Sequence, residues 1–172
     1  MIFKFRRMRP MDPLQVAMTG VRMGERYLQI FCSDAALTGG LAMKTGLSGV
    51  AALAAPDAKH ATRAREAAGK AGALIDVQIT SLGALPWDAD AFDMVVIDNT
   101  AGDVAALAPA DRAAMMSSVR QVLRPGGRVE VIERVNRAPN TESEEVLRAA
   151  GFKPVRTLAE QDAFRFIEGL KG

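Results

Sequence analysis

The feature that most constrains this chain is an alternation of short apolar runs with longer amphipathic or alanine-rich stretches. Tyr27 to Phe31 or Cys32, Gly49 to Ala54, Leu74 to Thr80, Phe92 to Asp98 and Arg128 to Glu133 read as strands. Between them, Ala35 to Lys44, Ala58 to Ala71 and Ala110 to Leu123 read as helices. Strands that alternate with helices build a parallel sheet covered on both faces. The first strand is apolar except for Gln29, as a strand buried on both faces requires. After the fifth strand, Thr141-Glu142-Ser143-Glu144 is a capping box for a helix that runs to Ala150 and stops at Gly151. Phe152 to Leu158 and Ala163 to Glu168 follow, joined by a short polar turn that implies an antiparallel pair. The expected architecture is therefore α/β and doubly wound. It has a mostly parallel seven-stranded sheet and a C-terminal antiparallel hairpin.

Local signals refine this order. Asp12-Pro13 reads as an N-cap and first helical residue, opening a short helix that Gly20 ends. Asp57 caps the helix from Ala58, whose Ala61, Ala64, Ala67, Ala68 and Ala71 share one face and let it lie close to a neighbour. Gly39-Gly40 falls inside a helix, at a cost of about 1 kcal/mol each against alanine. Such a pair marks either close backbone approach or a broken helix.

A length of 172 residues suits one domain, with residues 1–24 as an N-terminal arm and helix. A net charge of +2 supplies no basic face for nucleic acid. The lone Cys32 and lone His60 rule out a cysteine zinc cluster, and no metal site is expected. His60 reads as an exposed histidine without a role. No apolar run reaches the roughly 18 residues of a membrane span. Met1 to Arg9 lacks the apolar core of a secretory signal, so a cytoplasmic location is expected. In that arm Ile2, Phe3 and Phe5 alternate with Lys4, Arg6, Arg7 and Arg9, which reads as a frayed terminus or as a docking arm for an acidic surface.

Three stretches carry a family resemblance. Leu85-Pro86-Trp87 with Phe92-Asp93-Met94-Val95-Val96, then Leu123-Arg124-Pro125-Gly126-Gly127, then Gly151-Phe152 resemble motifs of the class I S-adenosylmethionine-dependent methyltransferases (methyltransferase type 11-like) in order and spacing. The resemblance implies a Rossmann-like fold, a transferase activity and S-adenosylmethionine as cofactor. It aligns the family's acidic-x-Gly-x-Gly-x-Gly turn with Gln29 to Ala35. Gln29 replaces the carboxylate, and Phe31, Ser33 and Ala35 replace glycines. The acidic residue that grips the ribose falls at Ala54 or Ala55, with Asp57 two or three residues late. Ser81, followed by Leu82, stands where the adenine is met.

The cofactor-binding positions implied by the resemblance are thus Gln29, Phe31, Ser33, Ala55, Ser81, Leu82 and Asp98. Each lost charged contact costs about 1.5–3 kcal/mol, so the departures predict weakened or lost cofactor binding. Asp98, Asn99 and Glu133, at the C-terminal ends of strands four and five, are the candidate catalytic groups. Asp98-Asn99-Thr100-Ala101 is not an Asn-Pro-Pro-aromatic motif, which argues against a nucleic-acid amine as acceptor.

Two functions remain from these residues. One is methyl transfer to a small molecule. The other is a non-catalytic, methyltransferase-fold binding or assembly subunit, a pseudoenzyme with a protein partner. Association of identical copies stays open. A dinucleotide reductase is disfavoured, because Gly-x-Gly-x-x-Gly and Tyr-x-x-x-Lys are both absent.

Overall fold

The protein's structure is a computed structural model that describes residues 12–136 and 142–172. The basic arm and Thr141 of the capping box lie outside the described residues.

Among those residues the order is α1 (Leu14–Thr19), β1 (Arg26–Ile30), α2 (Ala35–Thr45), β2 (Val50–Ala55), α3 (Ala58–Ala71), β3 (Asp76–Ile79) and β4 (Phe92–Asn99). There follow α4 (Asp103–Ala106), α5 (Pro109–Val122), β5 (Leu123–Arg134), α6 (Glu142–Ala149), β6 (Val155–Gln161) and β7 (Phe164–Leu170). The strands form a seven-stranded sheet in the order β3-β2-β1-β4-β5-β7-β6. β1 to β5 are parallel, while β7 runs antiparallel to both β5 and β6. The doubly wound sheet and its C-terminal hairpin follow the sequence expectation. No helix of the described residues is long and apolar enough to cross a membrane.

Successive strand residues point to opposite faces, and the core divides accordingly. Leu28, Ile30, Val95, Ile97, Val129 and Val131 pack with Met115, Val119 and Val122 of α5 and Leu147 of α6. On the other face Tyr27, Met94, Val96 and Ile132 meet Val16 of α1 and Leu37 and Leu41 of α2. Leu53 and Ala55 of β2 meet Ala61 and Ala64 of α3.

The paired glycines serve close approach, and α2 is unbroken. A Cβ on Gly39 would lie 2.9 Å from the Ala67 carbonyl oxygen of α3, and one on Gly40 would lie 2.5 Å from Val16 Cγ2 of α1. Side-chain loss at two adjacent positions lets α2 nest between its neighbours.

Three local readings change. Pro13, not Asp12, occupies the N-cap of α1 and no side chain caps it. Asp12 instead pairs with Lys44 across 3.3 Å. β5 begins at Leu123 rather than Arg128, because Phe92 pairs with Leu123 before a register shift. The short helix α4 has no counterpart in the sequence reading. Its four residues are too few for helical periodicity to register.

Candidate functional site

In an open parallel sheet, the chemistry collects beyond the carboxyl ends of the strands where strand order reverses. Here that point lies at the ends of β1 and β4, between the β1–α2 turn and the residues after β4. Asp98 is the hub. It is fully buried, and its Oδ2 accepts from the Ser33 amide at 2.8 Å and the Asp34 amide at 2.7 Å. Its Oδ1 accepts from the Thr100 hydroxyl at 2.6 Å and the Thr100 amide at 3.2 Å. Burial pushes the carboxyl above its ordinary value, while these hydrogen bonds pull the other way. Every strong acceptor direction is used, so Asp98 holds the β1–α2 turn in place.

The turn keeps a backbone shape normally reserved for glycine. Phe31 has φ +65°, which costs a non-glycine residue roughly 1–2 kcal/mol. Its ring is 2% exposed and sits within the main apolar cluster. The ring also meets the His60 imidazole with centroids 5.8 Å apart. His60 is therefore not an exposed bystander, since only 13% of its side chain is accessible. Its Nδ1 lies 3.0 Å from Asp57 Oδ1, and its Nε2 lies 4.0 Å from Asp103 Oδ1. Asp103 Oδ2 in turn accepts from the Ser33 hydroxyl at 2.8 Å. Asp57 also caps α3 through the His60 amide, and that bond holds its carboxyl below the usual range. A continuous polar strip, Asp57–His60–Asp103–Ser33, thus spans α3, α4 and the β1–α2 turn. Sequence reasoning missed Asp103 and Thr100. Their only signal was proximity to Asp98, and pairing across the sheet decided the rest.

The remaining candidates divide by location. Gln29 is fully buried and points beneath α2, where its Nε2 donates to the Phe31 carbonyl and to Thr38 Oγ1, both at 2.9 Å. Ala55 is fully buried against α3. Cys32 meets Thr38 Oγ1 at 3.1 Å, and burial pushes its thiol up to about 11. Ser81 and Leu82 line a cavity of about 470 Å³ with Pro56, Thr80 and Leu107. Ser33 and Asp34 line another of about 730 Å³ with Thr100, Arg134 and Asn136. The two cavities share no lining residue, and Phe31, His60 and Asp103 line neither of them.

Asn99 and Glu133 are neighbours across β4 and β5. Glu133 Oε2 accepts from Asn99 Nδ2 at 3.1 Å and from the Ser143 hydroxyl at 2.6 Å. Its Oε1 accepts from Arg165 Nη1 at 2.9 Å, and both side chains of this ion pair are at most 2% exposed. Asn99 Oδ1 accepts the Val104 amide at 2.9 Å, which tethers α4. These groups knit β4, β5, β7, α4 and α6 together.

A family model described as a methyltransferase domain matches residues 28–131. No curated protein matches the chain in sequence. Among solved structures, a SAM-dependent methyltransferase from Aquifex aeolicus superposes with a TM-score of 0.74 at 14% identity, covering 91% of this chain and 87% of that one. A TehB-like SAM-dependent methyltransferase from Corynebacterium glutamicum gives 0.68 at 15% identity, with 92% and 86% covered. A SAM-dependent O-methyltransferase from Thermotoga maritima gives 0.68 at 16% identity, with 91% and 62% covered. The chain spans about half to two thirds of the length of several other matches. At such identities the likeness is one of fold.

Proposed function

The chain belongs to the methyltransferase domain family matched over residues 28–131, and from that premise we propose that it is a methyltransferase-fold protein that has lost S-adenosylmethionine binding and acts as a binding or assembly subunit. The observation that carries this reading is the Phe31–His60 contact, 5.8 Å between ring centroids. The contact covers Phe31, and the pair lines neither of the two separate cavities, beside Ser33 and beside Ser81, that a single elongated cofactor would need to join. The residues do not suit that cofactor in two further respects. Ala55 has no side-chain acceptor for a ribose, and Asp57 is already committed to the cap of α3. Burial with partners on every side gives Asp98, Asn99 and Glu133 positioning roles rather than proton transfer.

A second reading, methyl transfer to a small molecule with weakened cofactor affinity, is favoured by one observation. The β1–α2 turn keeps its left-handed residue and leaves a cavity of about 730 Å³ beside Ser33.

Calorimetric titration of the full chain with S-adenosylmethionine and S-adenosylhomocysteine separates the two. The first reading expects no saturable heat with ligand up to about 1 mM, which corresponds to binding weaker than roughly 4 kcal/mol. Micromolar binding of either ligand overturns it and favours the second.

A further inference from the structure

On the flank of the sheet, away from the strand ends, α5 and α6 diverge and leave a cavity of about 680 Å³. This volume falls in the range of small-molecule sites, roughly 300–1,000 Å³. α5 supplies Ala113 and Met116 to the wall, and α6 supplies Val146 and Ala149, with Ala150 just past its end, at i, i+3 and i+4. Apolar side chains at this spacing form one helical face, so the floor is continuous and hydrocarbon-like.

Three cations border this floor, and they are not equivalent. Arg112 is paired with Glu142 at 2.6 Å and donates to the carbonyls of Ala105 and Leu107. Lys171 is paired with Asp90 at 3.0 Å and also donates to the Leu123 carbonyl. Arg120 has no ion pair and no side-chain hydrogen bond among the described residues, and its Nε, like that of Arg112, is buried without an acceptor. Its guanidinium rests over Gly151, where a Cβ would come within 3.5 Å of Nε. The buried Nε–H bears a desolvation cost with no acceptor to offset it, and the half-buried guanidinium has no carboxylate beside it. The groove thus offers an apolar floor and one uncompensated positive charge.

We propose that this groove binds a small apolar monocarboxylate, with the carboxylate on Arg120 and the hydrocarbon along Met116, Val146, Ala149 and Ala150. The single free charge argues for one carboxylate. A row of acidic side chains on a docking helix would find the other two cations already neutralised. Arginine suits the task because its planar fork meets a carboxylate in two parallel hydrogen bonds. This site is separate from the cleft at the strand ends and does not depend on whether that cleft binds a cofactor.

The test titrates the full chain with decanoate and, in parallel, with decan-1-ol, which has the same chain and no charge. Amide chemical-shift mapping and calorimetry are the readouts. Decanoate should shift the amides of residues 112–121 and 146–151 and bind at least ten-fold tighter than decan-1-ol, about 1.4 kcal/mol. Arg120→Gln should lower decanoate affinity at least ten-fold and leave decan-1-ol unchanged. Arg120→Lys should keep most of the decanoate affinity, and Ala149→Trp should remove both ligands by filling the floor. Equal affinity for decanoate and decan-1-ol overturns the proposal, as does no decanoate response in the parent chain or an unchanged Arg120→Gln. Shifts at these amides that grow with protein concentration and ignore decanoate would mean that a second copy fills the groove, and would also overturn it.

Discussion

Replacing Phe31 tests the centre of the site, because two opposing terms act on one residue. Truncating a buried phenylalanine costs about 3–5 kcal/mol, and Phe31 is 2% exposed within the main apolar cluster. Its φ of +65° is strained for any residue with a Cβ, and glycine releases about 1–2 kcal/mol of that. Phe31→Gly should therefore destabilise the fold by about 1–4 kcal/mol. At about 2–4 °C per kcal/mol for a domain of this size, its Tm should fall by roughly 2–16 °C. Phe31→Ala loses nearly the same burial but retains the strain. It should come out about 1 kcal/mol less stable than Phe31→Gly, reversing the usual order of alanine over glycine. Urea unfolding of the three proteins measures both differences. An alanine variant as stable as the glycine variant would refute the left-handed turn, and no loss in either would refute the packed ring. The same glycine variant, combined with Ala55→Asp, is the one in which cofactor affinity should reappear if the Phe31–His60 contact and the missing ribose acceptor are the obstacles.

Three further outcomes follow from named contacts. Asp98→Asn replaces one acceptor oxygen with a donor and strands two of the four bonds at that carboxylate, for a loss of about 3 kcal/mol or more. Amide exchange at Ser33 and Asp34 should accelerate, and unchanged exchange would mean that Asp98 does not clamp the turn. Gly39→Ala gains about 1 kcal/mol of helix propensity but sets a Cβ 2.9 Å from the Ala67 carbonyl oxygen. The net effect should be destabilising by about 1 kcal/mol, and a stabilised variant would contradict the close α2–α3 contact. Glu130 is buried with neither carboxylate oxygen hydrogen-bonded, and burial raises its pKa from 4.5 to about 8. The folded state holds the proton that the unfolded state has lost, so this contribution is full below about pH 4.5 and is lost as pH rises through about 8. Stability should fall by about 1.4 kcal/mol per pH unit across that window. Glu130→Gln should remove this slope and be the more stable protein at pH 8, whereas an identical slope in the variant would rule out Glu130 as its source.

The alternation of apolar runs and helical stretches was enough to specify sheet, crossovers and closing hairpin, because buried parallel strands and their covering helices have different periods that single residues display. Motifs such as Leu123-Arg124-Pro125-Gly126-Gly127 and Phe92-Asp93-Met94-Val95-Val96 were legible for the same reason, since they are contiguous. The departures at Gln29, Phe31, Ser33, Ala35 and Ala55 were equally plain in the chain. What those side chains do instead was not. Gln29 turns beneath α2, Phe31 stays in a left-handed turn, and His60 leaves solvent to cover its ring, because Asp98 and Asp103 reach Ser33 from 65 and 70 residues away. Asp12 shows the reverse case, a strong local cap signal overruled by a distant lysine. Sequence alone determined the elements and their order, where the deciding interactions lie within a few residues. Only the tertiary structure decided the site, where burial, hydrogen-bond saturation and the unpaired state of Arg120 depend on what other strands and helices bring within reach.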